Sequence, residues 1–268
     1  KLFPTNAVSP TDSVKPDISF EILEDLQNRE RGQYDKVATN IDMLHNVGTK
    51  FGLRTTFTSE SVQRMSDMIK ELHRRFPYIK TIVFDTVLSA DLFHTPDELS
   101  AYYRNYIKEF YKAKQYAKQL GIHINSIAVE TLQIIRDRTC EGKMVLTPMG
   151  TISACSRVSS PLEKLYDTNI YGLVRDGKIY FDGNKFKSIM DEYNIHTQKM
   201  CEYCYAKWNC GGGCRLFYQS FSDEYVQPKC AFVKESLRIE LFYMLCERFY
   251  LSTQQDLKSF IRKKINHN

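Results

Sequence analysis

The eight cysteines of this chain are confined to its second half. None precedes Cys140, and the others are Cys155, Cys201, Cys204, Cys210, Cys214, Cys230 and Cys246. A thiol set gathered this way constrains the fold more than composition does. The segment that carries it must bring distant sulfurs together, as disulfides in a secreted protein or around metal in a cytosolic one. The spacing is Cys140-x9-Gly150-x4-Cys155, then Cys201-x2-Cys204-x5-Cys210-x3-Cys214, then Cys230 after fifteen intervening residues. In Cys-x-x-Cys the intervening turn brings both sulfurs to one side. Cys210 and Cys214 enclose three glycines, which let backbone approach a bulky inorganic core and offer it N–H groups. One four-sulfur zinc site uses four cysteines. Seven in this pattern are too many for one site and one short of two full four-cysteine sites.

With 268 residues, 43% of them hydrophobic, the chain is long enough for one large domain or a domain and a half. The first half alternates strands and helices. Strands are predicted over 17–21, 51–57, 81–88 and 123–129. Helices are predicted over 34–47, from a cap at Thr58-Ser59 through Phe76 with an apolar stripe of Met65, Met68, Ile69 and Leu72, and over 97–120. That order argues α/β architecture with a parallel sheet and helical crossovers. Four strands are too few to close an eight-stranded barrel. The irregular start at Phe3-Pro4-Thr5-Asn6 favours a chain that begins partway through one. Beyond residue 138 the character changes. A hairpin is expected over 144–155, turning at Met149-Gly150, and another over 173–181, turning at Asp176-Gly177. The cysteine-rich segment follows, then a helix over 233–250. The expected division is therefore 1–138 and 139–268.

The cysteine pattern resembles the SPASM domain that follows the catalytic barrel in many radical S-adenosylmethionine enzymes. That domain holds two auxiliary [4Fe–4S] clusters. The resemblance implies that Cys140, Cys155 and Cys214 ligate the first, and Cys201, Cys204, Cys210 and Cys230 the second. It also implies the fold, a partial TIM-like barrel followed by a small Cys-rich domain of hairpins and a C-terminal helix. Some family members supply a further cysteine six residues before the position of Cys140, where this chain has Ile134. The first cluster is thus left open to a side chain, water or a substrate thiolate. Cys246 shares a helical stripe with Ile239, Phe242 and Phe249 and is read as a core residue. A zinc ribbon and a disulfide framework are the competing readings of the same cysteines.

Residues 17–58 are similar to the middle of the radical S-adenosylmethionine barrel. Ile18-Ser19-Phe20-Glu21 resembles its fourth strand, with Ile22-Leu23 in place of the usual Gly-Pro. Gly52-Leu53-Arg54-Thr55-Thr56 resembles the fifth, and Thr5-Asn6 the end of the third. The resemblance implies that Ser19 and Arg54 face S-adenosylmethionine, at the strand ends where barrels carry their chemistry. The family's C-x3-C-x2-C loop, which holds the radical-generating third [4Fe–4S] cluster, has no counterpart, since no cysteine precedes Cys140. The chain is therefore expected to be a fragment or a degenerate relative, unable by itself to start the radical reaction.

For the full-length protein the resemblance implies a maturase of a ribosomally made peptide. A deoxyadenosyl radical takes a hydrogen from a peptide carbon, a thioether or carbon–carbon link forms, and an auxiliary cluster accepts the spare electron. A precursor peptide and a reductant such as flavodoxin or ferredoxin are the implied partners. Ser156-Arg157 follow Cys155 where sulfatase-modifying members place an Asp, which argues against that activity. A non-catalytic, metal-stabilised peptide-binding module and an electron-transfer protein are the competing classes. The net charge of +5 is spread along the chain, often beside acids, so no concentrated basic face points to nucleic acid. The Tyr- and Lys-rich segment 97–120 is read as a solvated helix face with some capacity to touch a peptide. No apolar run approaches the roughly 18 residues of a membrane span, and no signal-peptide core opens the chain. The expected location is the cytoplasm.

Overall fold

The computed structural model describes residues 16–126, 130, 132 and 134–265. Thr5-Asn6 and the end of the predicted 123–129 strand lie outside those residues. The chain divides into two compact units between residues 130 and 131.

The first unit is a four-stranded parallel sheet in the order β1-β2-β3-β4: Asp17–Ser19, Gly52–Phe57, Thr81–Thr86 and His123–Asn125. Between β1 and β2 run α1 (Glu24–Glu30) and α2 (Tyr34–Asn46). Between β2 and β3 runs α3 (Met65–Arg75), and between β3 and β4 runs α4 (Pro96–Gln119). Alternation decides which sheet face is buried. Leu53, Phe57, Ile82, Phe84 and Ile124 are buried, and with them Met65, Met68, Ile69 and Leu72, the predicted stripe of α3. Phe57 and Phe84 meet edge to face with ring centroids 4.7 Å apart. The 58–76 segment differs from the single helix expected. Thr58 and Ser61 exchange side-chain bonds to each other's backbone N–H at 2.9 and 3.3 Å, and a 3-10 turn over 62–64 precedes α3.

Helix α4 starts where its sequence says, with the Thr95 hydroxyl accepting from Glu98 N at 3.2 Å and Pro96 in the first turn. Its tyrosines correct the solvated reading. Tyr102, Tyr103 and Tyr106 are buried. The hydroxyls of Tyr102 and Tyr106 donate to the carbonyls of Phe57 at 2.6 Å and Phe84 at 2.7 Å. A tyrosine packs as an apolar body when its hydroxyl finds a buried acceptor, and here strand carbonyls supply it.

The second unit holds an antiparallel sheet, β5 (Val145–Leu146), β6 (Thr151–Ser153), β7 (Ile170–Arg175) and β8 (Lys178–Phe181). Both predicted hairpin turns are present. Asp176 and Gly177 take φ of 51° and 69°, the paired positive φ of a two-residue type I′ turn. Ile152, Ala154, Tyr171 and Ile189 form the buried cluster of this unit, flanked by Phe186 and Met190. The last two residues stand on α5 (Gly183–Glu192), a helix the sequence reading did not anticipate, capped by Asp182 through Lys185 N at 2.8 Å. After α6 (Arg215–Ser220) the long α7 runs Val226–Thr253, beginning seven residues earlier than expected. Pro228 lies in its first turn, where proline costs no hydrogen bond. Cys230 therefore sits on a helix and not before one. A further helix, α8 (Leu257–Ile265), closes the described chain.

Candidate metal centre

The segment before Cys140 is stitched onto the cysteine-rich segment by backbone and side-chain bonds. Arg136 N donates to Trp208 O at 2.8 Å and Ile195 N donates to Asp137 O at 2.9 Å. The Thr139 hydroxyl lies 2.5 Å from Cys210 O and 3.2 Å from Gly211 O, donating to both. Cys140 is thereby delivered to a loop some seventy positions away. Cys155 leaves β6 under the Ser153 hydroxyl, which accepts from Cys155 N at 3.2 Å and donates to Cys155 O at 3.0 Å. Cys201, Cys204 and Cys210 lie on consecutive tight turns, with Cys204 N bonded to Cys201 O at 3.2 Å and Cys210 N to Ala206 O at 2.8 Å. Cys214 stands at the start of α6 and Cys230 in the second turn of α7.

The seven thiols fall into two groups. Cys140, Cys155 and Cys214 line one cavity of about 50 Å³ with Tyr193 and Arg215, larger than the roughly 10–15 Å³ that a single water needs. Burial pushes the Cys155 thiol up, and Cys214 and Cys140 push it further. Cys210, Cys204 and Cys230 act on Cys201 in the same way. Burial pushes Cys210 and Cys230 up and Cys201 to about 11, with the neighbouring thiols adding to it. Lys229 opposes the rise at Cys210 and at Cys230, a cation already in place for negative charge. All eight cysteines are free. Cys246 is sixteen residues beyond Cys230 on the same helix, about 24 Å along its axis, and cannot join that group. It is half-buried.

The candidate ligands are thiols alone, the donor type of iron–sulfur clusters and of zinc alike. Among the described residues no three His, Cys, Asp or Glu side chains close on a single-ion site. Four thiolates on one zinc stand about 3.8 Å apart, given a Zn–S distance of about 2.3 Å. A core of several atoms holds its thiolates in a wider ring. The cavity side chains offer no fourth thiol to the three-cysteine group: Ile134 is exposed, and only its carbonyl is engaged, by Asn209 at 3.4 Å. Ser156 and Arg157 are also exposed.

The glycines between Cys210 and Cys214 are required by protein packing. Gly211, Gly212 and Gly213 have φ of 67°, 80° and 90°. A Cβ on Gly211 would strike the Arg138–Thr139 backbone, one on Gly212 would come 2.7 Å from Asn194 C, and one on Gly213 would come 2.6 Å from the Tyr218 hydroxyl. Their missing side chains make room for protein. Tyr218 escaped the sequence reading. Its hydroxyl donates to Gly212 O at 2.8 Å, and its ring stacks on Tyr193 at 5.3 Å with the planes 7° apart. Arg215 escaped it too. It spans Glu192 at 2.9 Å, Asn169 at 2.6 Å and Thr168 O at 3.0 Å at the rim of the three-cysteine cavity. The only local signal for either is its closeness in sequence to Cys214.

In the first unit, register puts Ser19 beside Arg54 and Thr56 beside Asp85. Side chains in register on parallel strands share a face. Asp17, Ser19, Arg54, Thr56, Asp85, His123 and Asn125 thus occupy the sheet face opposite the helices, and most are exposed or half-exposed. Parallel sheets are ordinarily covered on both faces, and among the described residues this polar face is largely open. Arg54 is no free cation there: it donates to Asp85 at 2.7 Å and to Asp17 at 3.2 Å. The group carries one positive and two negative charges.

No protein-family model and no curated protein matches this chain. Solved structures do. "Native anSMEcpe with bound AdoMet and Kp18Cys peptide" superimposes with a TM-score of 0.58 at 15% identity, over 85% of this chain and 68% of that one. "Native anSMEcpe with bound AdoMet" gives 0.59 at 14%, over 85% and 67%. That protein is an anaerobic sulfatase-maturating enzyme with the radical S-adenosylmethionine and SPASM architecture. At such identity the likeness carries the fold. Among the described residues no helix is long and apolar enough to cross a membrane.

Proposed function

We propose that this chain is the cluster-bearing part of a radical S-adenosylmethionine maturase acting on a ribosomally made peptide, with a partial barrel ahead of a SPASM domain. The carrying observation is the partition of seven cysteines into a group of three and a group of four. The fold shared with an S-adenosylmethionine- and peptide-bound enzyme supports it. In this reading Cys140, Cys155 and Cys214 hold one auxiliary [4Fe–4S] cluster, and Cys201, Cys204, Cys210 and Cys230 the other. Ser19 and Arg54 meet S-adenosylmethionine from the open sheet face. Bound S-adenosylmethionine and its own cluster supply the radical, and the auxiliary clusters supply one-electron capacity. The chain's residues do the rest. Asp85 and Asp17 hold Arg54 in one orientation, and the net negative charge of that group suits a cationic cofactor. Arg215 and Lys229 offset the charge of the thiolates. The three-cysteine site has a ligand position to spare, and a peptide cysteine fits it by donor type. Flavodoxin or ferredoxin serves as reductant, and the product is a thioether or carbon–carbon link.

A second reading, sulfatase maturation, has the peptide-bound neighbour in its favour, because that structure carries a Kp18Cys peptide. Ser156 and Arg157 at the expected place of an acidic residue weigh against it. Oxygen-free reconstitution tests the cluster reading: about eight irons and as many sulfides per chain are expected, and uptake of zinc alone overturns it. Incubation of the full-length protein with S-adenosylmethionine, reductant and a Cys-containing peptide then separates the functions by mass spectrometry. Loss of two hydrogens with a new cross-link supports peptide maturation. A formylglycine product supports the second reading. No cleavage of S-adenosylmethionine leaves a metal-stabilised peptide-binding module.

A further inference from the structure

The antiparallel sheet of the second unit ends on β8, and that edge is open. In the order β5-β6-β7-β8, β7 lies on one side of β8 and no strand lies on the other among the described residues. All four residues of β8 are exposed. Ile179, Tyr180 and Phe181 leave 52%, 50% and 54% of their surface in solvent, a large apolar share for a sheet edge. The register with β7 fixes which way the backbone points, because opposite residues of an antiparallel pair alternate between bonded and non-bonded. The two-residue turn makes Arg175 and Lys178 a bonded pair. Asp182 N donates to Tyr171 O at 2.7 Å, and Val174 N turns away from β8 to Gly150 O at 2.7 Å. Lys178, Tyr180 and Asp182 therefore direct their backbone groups to β7. Ile179 and Phe181 present theirs outward, as a template for another strand.

The sequence around Tyr180 specifies that strand. Lys178-Ile179-Tyr180-Phe181-Asp182 is complementary to itself when two copies run antiparallel about Tyr180. Ile179 of each copy then meets Phe181 of the other as a bonded pair, so the outward groups make four hydrogen bonds. Tyr180 meets Tyr180 in the close, non-bonded position, where aromatic pairs are favourable. Lys178 meets Asp182 at both ends, opposite charges directly across the strands. Asp182 caps α5 with one carboxylate oxygen, Oδ1, through Lys185 N at 2.8 Å, and its second oxygen faces the lysine. A lysine on an edge ordinarily deters pairing; here the two-fold supplies its counter-charge.

We propose that β8 is the interface of a symmetric dimer, in which two copies of this chain join edge to edge into one eight-stranded sheet. The same patch serves both copies, so the contact closes at two and does not propagate. The proposal does not depend on the cluster reading.

The test uses the full chain, kept oxygen-free with its thiols reduced so that no disulfide joins copies. Sedimentation equilibrium is expected to show a monomer–dimer equilibrium. Amide hydrogen exchange at Ile179 and Phe181 is expected to slow as concentration rises, while Tyr180, already bonded to β7, exchanges as before. Lys178→Glu sets like charges at both ends of the pair and is expected to weaken the dimer roughly tenfold. Asp182→Asn keeps the helix cap and is expected to weaken it less. Ile179→Pro removes two of the four bonds without touching the β7 ladder and is expected to abolish the dimer. A chain that stays monomeric at every concentration overturns the proposal. So does a dimer whose Ile179 and Phe181 amides exchange at a rate independent of concentration, or a Lys178→Glu dimer as tight as the wild type. Protection of those two amides only on addition of an extended peptide makes the peptide the occupant and overturns it too. Lys178→Glu changes a single exposed side chain and decides the matter even if Ile179→Pro fails to fold.

Discussion

Arg54 donates to Asp85 at 2.7 Å across neighbouring strands, and the Asp85 side chain is only 4% exposed while that of Arg54 is 34% exposed. Removing the acid leaves a guanidinium that keeps Asp17 at 3.2 Å and still reaches water. The cost of Asp85→Ala is therefore expected below the 3–5 kcal/mol of a fully buried pair, at about 1–2 kcal/mol. Urea unfolding measures it, and an unchanged midpoint would show that the pair contributes nothing to stability.

Asp42 accepts from Arg75 at 2.5 Å and from the Tyr78 hydroxyl at 2.7 Å. The Arg75 hydrogen bond holds its carboxyl below the ordinary 3.8. A depressed folded value stabilises the native state above the unfolded value, and that stability is lost as pH falls through the folded one. Asp42→Asn is expected to cost roughly 0.5–1 kcal/mol at neutral pH. The gap to wild type should close as pH drops below about 4. A gap that persists at pH 2 would contradict the assignment.

Gly121 and Gly212 both have positive φ, 67° and 80°, but nothing lies within 4 Å of a Cβ on the first, while the Asn194 backbone lies 2.7 Å from one on the second. Gly121→Ala should cost only the left-handed penalty of about 1–2 kcal/mol. Gly212→Ala should cost more, and should also displace the loop between Cys210 and Cys214. Thermal unfolding of the two variants side by side would refute this if their melting shifts were equal.

The Tyr102 hydroxyl donates to Phe57 O at 2.6 Å and accepts from Val87 N at 3.1 Å, closing the end of β2 onto the segment after β3. Tyr102→Phe removes the hydroxyl from Phe57 O and Val87 N, which keep their 3.1 Å bond to each other, and spares the packing. A loss of about 0.5–1.5 kcal/mol is expected, with faster hydrogen exchange at Val87. Unaltered exchange there would mean that water replaces the hydroxyl at no cost.

The cysteine set was legible in the sequence because ligand spacing is a local property, carried by turns of a few residues. The Met65–Leu72 stripe was legible for the same reason, since a period of 3.6 shows in a short window. The buried role of Tyr102 and Tyr106 was not, because their acceptors lie 45 and 22 residues away. The early start of α7 was not either, because Pro228 is a breaker in a helix interior and neutral in its first turn. Thr139 and Tyr218 carry no signature at all: a hydroxyl becomes a positioning group only when an acceptor arrives, and for Thr139 the acceptor is 71 residues away. The sequence by itself determined which atoms are available to bind metal and how the strands alternate. Only the tertiary structure decided that Cys140, Cys155 and Cys214 line one cavity, because that gathering depends on a loop of glycines whose path is set by contacts distant along the chain.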